Sequence, residues 1–208
     1  MPDPVILDHP LVHHHLTRLR DRTTRPPEFR QRLRVLATLL AAEATRDLAT
    51  ASAPVATPLT DMEGRRLADD IALVPILRAG LGLVEPVLDF LPEARVLHLG
   101  YYRDEATHQP VPYYEKLPAR PAGVALVLDP MLATGGSAAA ALHALAGWGA
   151  GRVKLLSILA APEGLDRIGR EFPEVAVYAC ARDERLNDRA FIVPGLGDAG
   201  DRMFHTGA

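Results

Sequence analysis

Apolar residues follow two rhythms along this chain. Between residues 27 and 51, Phe29, Leu33, Leu36, Leu40, Ala44 and Leu48 recur at steps of three and four, the spacing of one buried stripe on an amphipathic helix. Pro26 and Pro27 stand at its start, where a missing backbone donor does no harm. Pro54 and Pro58 interrupt the chain beyond it. Further on, short continuous apolar runs take over: Ile71–Leu77, 95–101, Val124–Leu128 and 153–159, with shorter candidates at 175–178 and 191–193. Helical patterns separate them at 82–91, Gly136–Trp148 and 162–172. Apolar strands alternating with helices predict an α/β fold with a mostly parallel sheet covered on both faces. Ligands of such folds collect at the carboxyl ends of the strands. Residues 102–121 break the rhythm with Pro110, Pro112, Pro118 and Pro121 among tyrosines and charges. They are expected to form a hairpin arm that leaves the sheet, of the kind used as a lid or a dimer contact.

Length and charge narrow the picture. A chain of 208 residues, 48% of them hydrophobic, suits a single domain with a sizeable core. The net charge of -3, with acids and bases mixed, lacks the basic face expected of a nucleic-acid or membrane-surface protein. Cys180 is the only cysteine, so no intrachain disulfide can form, which fits a reducing compartment. The start, MPDPVILDHPLVHHHL, has no basic segment followed by a long apolar run. The expectation is a cytoplasmic protein with no nucleic-acid and no membrane partner.

Candidate chemistry sits at the strand ends. After Val124–Leu128 come Asp129, Pro130, Met131, Leu132, Ala133, Thr134, Gly135, Gly136 and Ser137, and then helix-forming alanines. The glycine pair lets backbone approach a ligand closely. Thr134, Ser137 and the free donors of a helix's first turn make an anion site, with phosphate the expected anion. Asp129 would repel phosphate, but it can accept from sugar hydroxyls or hold a metal through water. A ribose 5-phosphate satisfies both. Read alone, the segment also fits a strand, a turn and a capped helix with no ligand. It is neither a Walker loop nor a dinucleotide fingerprint.

Arg78 directly follows Ile71–Leu77 and precedes Gly80 and Gly82, and its planar fork suits a diphosphate. Arg103, past the next strand, and Lys116 are further candidates for the same anion. The last loop, FIVPGLGDAGDRMFHT, holds Gly195, Gly197 and Gly200 with Asp198 and Asp201. That is too permissive for a simple connection and suits close approach to a flat ligand. His13, His14 and His15 are adjacent and so diverge on any regular element, and no acid or cysteine spacing supports a zinc site. Cys180 reads as a buried structural thiol.

Taken together, the segments HPLV at His9, EAT at Glu43, VPILRAGLG at Val74, YRDE at Tyr102, PVPYYEKLP at Pro110, DPMLATGGS at Asp129, AAPEG at Ala160 and PGLGDAGDRMF at Pro194 resemble the bacterial uracil phosphoribosyltransferases. They stand in family order and cover nearly the whole chain. The resemblance implies the type I phosphoribosyltransferase fold as one domain over residues 1–208. A small hood would come from the N-terminal segment and the C-terminal loop. It implies transfer of the phosphoribosyl group of 5-phosphoribosyl 1-diphosphate to uracil, giving UMP and diphosphate, with Mg2+ held mainly by the substrate diphosphate. Residues 129–137 would grip ribose 5-phosphate. Arg78 and Arg103 would hold the diphosphate, and with Asp129 they form the catalytic set. Ile192, Gly197, Asp198 and Ala199 would bind uracil, with Asp198 also meeting the diphosphate side. A homodimer or higher homo-oligomer is implied, and GTP activation is known in some members. Many type I relatives carry two adjacent acids where this chain has Asp129-Pro130, so a paired-acid role does not transfer. A nucleotide-sensing or RNA-binding regulator on the same fold is the alternative.

Overall fold

The computed structural model describes residues 3–103 and 110–207, with backbone alone for Arg103 and Pro110. Seven main strands form one sheet in the order Val5–Ile6, Ala176–Arg182, Arg152–Ala160, Val124–Leu128, Ile71–Leu77, Leu99–Arg103, Pro110–Glu115. Every neighbouring pair is parallel except the last. Because side chains alternate across a strand, the sheet divides the core in two. Leu73, Leu126 and Leu156 meet the helices Pro10–Arg20, Pro26–Ala44 and Leu81–Phe90 on one face. Ala72, Val74, Val127 and Leu155 meet Gly136–Trp148 and Pro162–Glu171 on the other. This is the α/β architecture expected from the alternating runs. No helix among the described residues is long and apolar enough to cross a membrane.

Three expectations need correction. The long helix ends at Ala44 rather than at residue 51. Its last carbonyls are already taken: Thr45 Oγ1 donates to Ala41 O at 2.7 Å, and the buried Lys154 Nζ donates to Ala44 O at 2.5 Å. The chain then turns into Thr50–Ala56, which pairs antiparallel with Asp61–Leu67 as a hairpin outside the main sheet. Pro54 sits within it, as a two-stranded ribbon permits. Of residues 102–121, expected to form a hairpin arm that leaves the sheet, Pro110–Glu115 does pair antiparallel with Leu99–Arg103, but at the edge of the main sheet rather than away from it; residues 104–109 of that stretch lie outside the described residues. Finally, Ile192–Val193 pairs only with Arg185–Leu186, so this short run builds a small hairpin instead of a sheet strand.

Lys154 decides how the sheet is joined to the long helix. Its side chain is 1% exposed, bonded to the Ala44 carbonyl, paired with Asp47 and 5.3 Å from the centre of the Tyr178 ring. Lys154→Met keeps the volume but strands a buried carbonyl. It should cost about 1–3 kcal/mol in denaturant unfolding, since Asp47 can relax into water. An unchanged midpoint would show that the ammonium contributes nothing net.

Candidate active site

Ile71–Leu77, Val124–Leu128, Arg152–Ala160 and Ala176–Arg182 all run the same way, so Arg78, Asp129, Ala161 and Asp183 emerge at one edge. After Ile71–Leu77 the chain builds Leu99–Arg103 on one side. It then crosses to build Val124–Leu128 on the other. That reversal opens a crevice between the two strand ends. Over this edge lies a cleft of about 370 Å³. Met131, Ala133, Thr134, Gly136 and Ser137 line it from one side. Gly197, Asp198, Ala199 and Gly200 line it from the C-terminal loop, and Arg189, Ala190, Phe191 and Ile192 from the small hairpin. Ala79 and Tyr102 complete it.

The first wall is built by a change of rhythm. Met131–Leu132 is a two-residue strand, so alternate side chains part. Pro130 and Leu132 are buried, and their carbonyls bond Ile158, Leu159 and Ala161 amides at 2.9–3.1 Å. Met131 and Ala133 reach the cleft. Gly135 then takes φ 75, the left-handed region, and starts the 13-residue helix Gly136–Trp148. The first helical bond runs from Ala139 N to Gly135 O, so the amides of the first turn have no helical partner, and those of Ser137 and Ala138 are open to an anion. Thr134 Oγ1 accepts from Gly136 N at 3.4 Å. A Cβ built on Gly136 would meet only Arg167 Nη1 and Thr134 Oγ1, at 3.5 and 3.6 Å. The fold therefore tolerates a side chain there. What the glycine leaves open is the cleft.

Asp129 stands half-buried at the strand end, just outside the cleft wall. Its Oδ1 accepts from Met131 N at 3.3 Å. Burial nevertheless dominates and pushes the carboxyl up to about 6. Arg78 leans toward the C-terminal helix Ala199–Phe204, with Nη2 3.4 Å from Asp201 Oδ1 and Nη1 3.5 Å from Thr206 Oγ1. Asp198 caps that helix by accepting from Asp201 N at 2.8 Å. Of the expected site residues, the cleft gathers Met131, Ala133, Thr134, Gly136, Ser137, Ile192, Gly197, Asp198 and Ala199. Gly135, Pro130 and Leu132 shape it from behind, and Arg78 and Asp129 flank it. Arg103 ends its strand, and its side chain lies outside the described residues.

Sequence reasoning missed Arg189 and Tyr102 as lining residues. The hairpin turn that carries Arg189 was legible in Asn187-Asp188, a turn signal. Asn187 Oδ1 accepts from both Arg189 N and Phe191 N at 3.0 Å. The histidine triplet lies elsewhere: His13 pairs with Asp8 at 2.9 Å, and the rings of His14 and His15 meet edge to face at 5.0 Å. Cys180 is buried, which pushes its thiol up to about 12.

A profile of the family described as Uracil phosphoribosyltransferase matches residues 5–206. The chain belongs to the uracil phosphoribosyltransferase family. It is 54% identical over 208 residues to the uracil phosphoribosyltransferase of Roseiflexus sp. (strain RS-1), covering all of both chains. It is 51% identical to that of Symbiobacterium thermophilum, covering 97% of this chain and 98% of the other. A solved structure from Aquifex aeolicus superposes with a TM-score of 0.93 at 39% identity, covering 98% of this chain and 99% of that one. A hypoxanthine-guanine phosphoribosyltransferase from Bacillus anthracis, at 12% identity and a TM-score of 0.52 over 76% of this chain and 79% of that one, shares the fold. The expectation drawn from the motifs is borne out at the level of family and fold.

For a divalent cation, the described residues hold no group of three or more His, Cys, Asp or Glu side chains. Asp198 and Asp129 stand as single carboxylates. Asp198 lines the cleft and Asp129 flanks it, and a magnesium ion that keeps most of its waters takes one or two such carboxylates.

The position of Asp129 has a cost that can be read out by pH. A carboxyl raised from its ordinary value near 4 to about 6 lets the native state hold its proton where the unfolded chain has lost it. Stability is therefore full below pH 4 and falls as pH rises to 6. Above that it stays lower by on the order of 2–3 kcal/mol. Asp129→Asn removes the penalty. Its Tm should exceed the parent's by several degrees at pH 7.5, and the gap should close at pH 4. A gap that does not change with pH would contradict this.

Proposed function

We propose that the cleft transfers the phosphoribosyl group of 5-phosphoribosyl 1-diphosphate to uracil, forming UMP and diphosphate. The observation that carries this reading is one cleft with an open helix N-terminus on one wall and a glycine-rich backbone loop on the other. Gly136, Ser137 and Thr134 hold the 5-phosphate with amides and hydroxyls. Asp129 accepts from the ribose hydroxyls. Ile192 and the backbone of Gly197, Asp198 and Ala199 receive uracil. Arg78 and Arg103 take the diphosphate. Arg78 gives up only long, exposed contacts to do so, and such pairs are worth little. Asp198 would hold a magnesium ion brought by the diphosphate, and that ion would supply neutralisation of the leaving charge.

In the reaction the N1–C1 bond forms, the bond from C1 to diphosphate oxygen breaks, and N1 loses its proton. Positive charge develops on the ribose, and little covalent work is asked of the protein. Positioning and charge placement carry the rate. Asp129-Pro130 supplies one acid where a pair would need two. Backbone readout also selects the base: fixed donors and acceptors that satisfy uracil leave a buried group unpaired with cytosine. The freestanding hairpin built from Thr50–Ala56 and Asp61–Leu67 exposes Val55, Leu59, Met62 and Leu67, which supports a homo-oligomer. The N-terminal helix and the C-terminal loop together form the hood. Full-length relatives named for the enzyme weigh against the regulator reading.

The decisive assay measures nucleotide formation from uracil, cytosine, orotate, hypoxanthine and adenine, with the phosphoribosyl donor and magnesium, in the presence and absence of GTP. Product from uracil alone is expected; product from another base overturns the base assignment. Gly136→Ala isolates the phosphate wall. Its melting curve should match the parent's, because the added methyl meets nothing closer than 3.5 Å. Its KM for the donor should rise about tenfold or more, the scale of a lost charge-assisted contact. An unchanged KM would place the phosphate elsewhere.

A further inference from the structure

Two arginines hold the C-terminal loop from behind, and neither has a part in the chemistry above. Arg20, the last residue of the helix Pro10–Arg20, sends a two-pronged fork to Asp183: Nη2 to Oδ1 at 2.5 Å and Nη1 to Oδ2 at 2.8 Å. The same Nη1 donates to the Gly195 carbonyl at 2.8 Å, and Asp183 Oδ2 accepts from the Gly195 amide at 2.8 Å. Both backbone groups of Gly195 are thus tied to one ion pair. Arg202 continues the clamp. Its guanidinium donates to the carbonyls of Leu196 at 2.8 Å, Leu19 at 2.5 Å and Asp21 at 2.6 Å, and lies 4.6 Å from the centre of the Phe29 ring.

The clamp stops where the cleft begins. Gly195 and Leu196 are pinned, and Gly197 to Gly200 line the cleft. Gly195 has φ 64, and a Cβ there would collide with the Ile192 carbonyl oxygen. The loop thus needs glycine to turn at all, and glycine is the residue that most needs outside restraint. A buried ion pair is weak evidence for stability, since apolar packing of the same volume often does as well. What a bidentate fork adds is fixed geometry. Asp183 is itself the first residue past the strand Ala176–Arg182 and its side chain is 3% exposed. The sheet therefore sets the clamp's position directly.

We propose that Arg20 and Asp183 are positioning residues for base recognition: through Gly195 they set the register of the backbone that reads the base. This rests on the reading that Gly197, Asp198 and Ala199 receive uracil. The clamp acts on the loop, which in the proposed function meets the donor through Asp198 alone, whereas the phosphate wall at Gly136–Ser137 belongs to a different helix. Loosening the clamp should therefore affect the two substrates unequally.

The test uses Arg20→Lys, which keeps the charge and loses the fork, and Asp183→Asn, which keeps the shape and loses the charge. Steady-state kinetics are measured against uracil and against the donor, with cytosine as competitor and a melting curve for each protein. In Arg20→Lys, KM for uracil should rise about tenfold and the preference for uracil over cytosine should fall, with KM for the donor within about twofold of the parent's. Asp183→Asn should move the same way, and if it does not fold, Arg20→Lys decides alone. A folded Arg20→Lys with unchanged uracil KM and unchanged base preference overturns the proposal. So do KM values for both substrates rising in step, which mark a general structural role. A parent protein that turns over no uracil would instead sink the base-pocket reading on which the proposal rests.

Discussion

A parallel sheet ends all its strands at one edge, and the site follows from that constraint. Side chains leaving successive strands converge there without any loop having to fold toward another. Arg78 and Asp129 emerge on either side of the point where strand order reverses. The helix that starts at Gly136 aims its open amides at the same edge. Glycine at φ 75 makes that entry possible at Gly135. The sheet fixes the position of the wall proposed to hold phosphate, and its helix end provides the partial positive charge that an anion needs.

The opposite wall is neither a strand end nor a long helix's first turn, and the sheet reaches it through Asp183. It is a C-terminal loop with positive φ at Gly195 and Gly197, held in place by side chains from remote parts of the chain. Arg20 and Arg202 link it to the N-terminal helix, to the start of the long helix and to Asp183. One wall is therefore rigid by topology and the other by a web of charge-assisted hydrogen bonds. The division matches the chemistry proposed for each. Phosphate tolerates approximate placement in a field of donors, whereas telling two pyrimidines apart needs fixed backbone groups. The raised carboxyl of Asp129 shows the reverse side of the same design: a charge held half out of water at a strand end costs stability.

Much of this was legible in the sequence, for physical reasons. Continuous apolar runs such as Val124–Leu128 belong to strands buried on both faces, so the α/β sheet could be read directly, and Gly136–Trp148 was placed correctly from its glycine start and alanine run. The hairpin from residue 50 to 67 was not legible. Its strands bury no residue fully and are half-buried only at the small residues Ala51, Ala53 and Gly64, so they carry no alternating apolar signal, and Pro54 and Pro58 read as breaks. Residues 102–121 looked like an excursion because an edge strand rich in proline and tyrosine lacks the signature of a buried one. In the site, the glycine segments were visible because backbone conformation limits residue choice. Arg189 and the Arg20–Asp183 clamp were invisible, because an arginine in a turn or at a helix end looks solvated, and only the fold brings Arg20 to Asp183, 163 residues away.

In the proposed function a single nucleotide spans the cleft from the helix at Gly136 to the loop at Gly197. A crystal structure with UMP tests it most directly. The 5-phosphate is expected on the amides of Gly136 and Ser137, the ribose hydroxyls at Asp129, and the base against the backbone of Gly197 to Ala199. UMP bound with its phosphate away from Gly136, or with its base outside that loop, would contradict it.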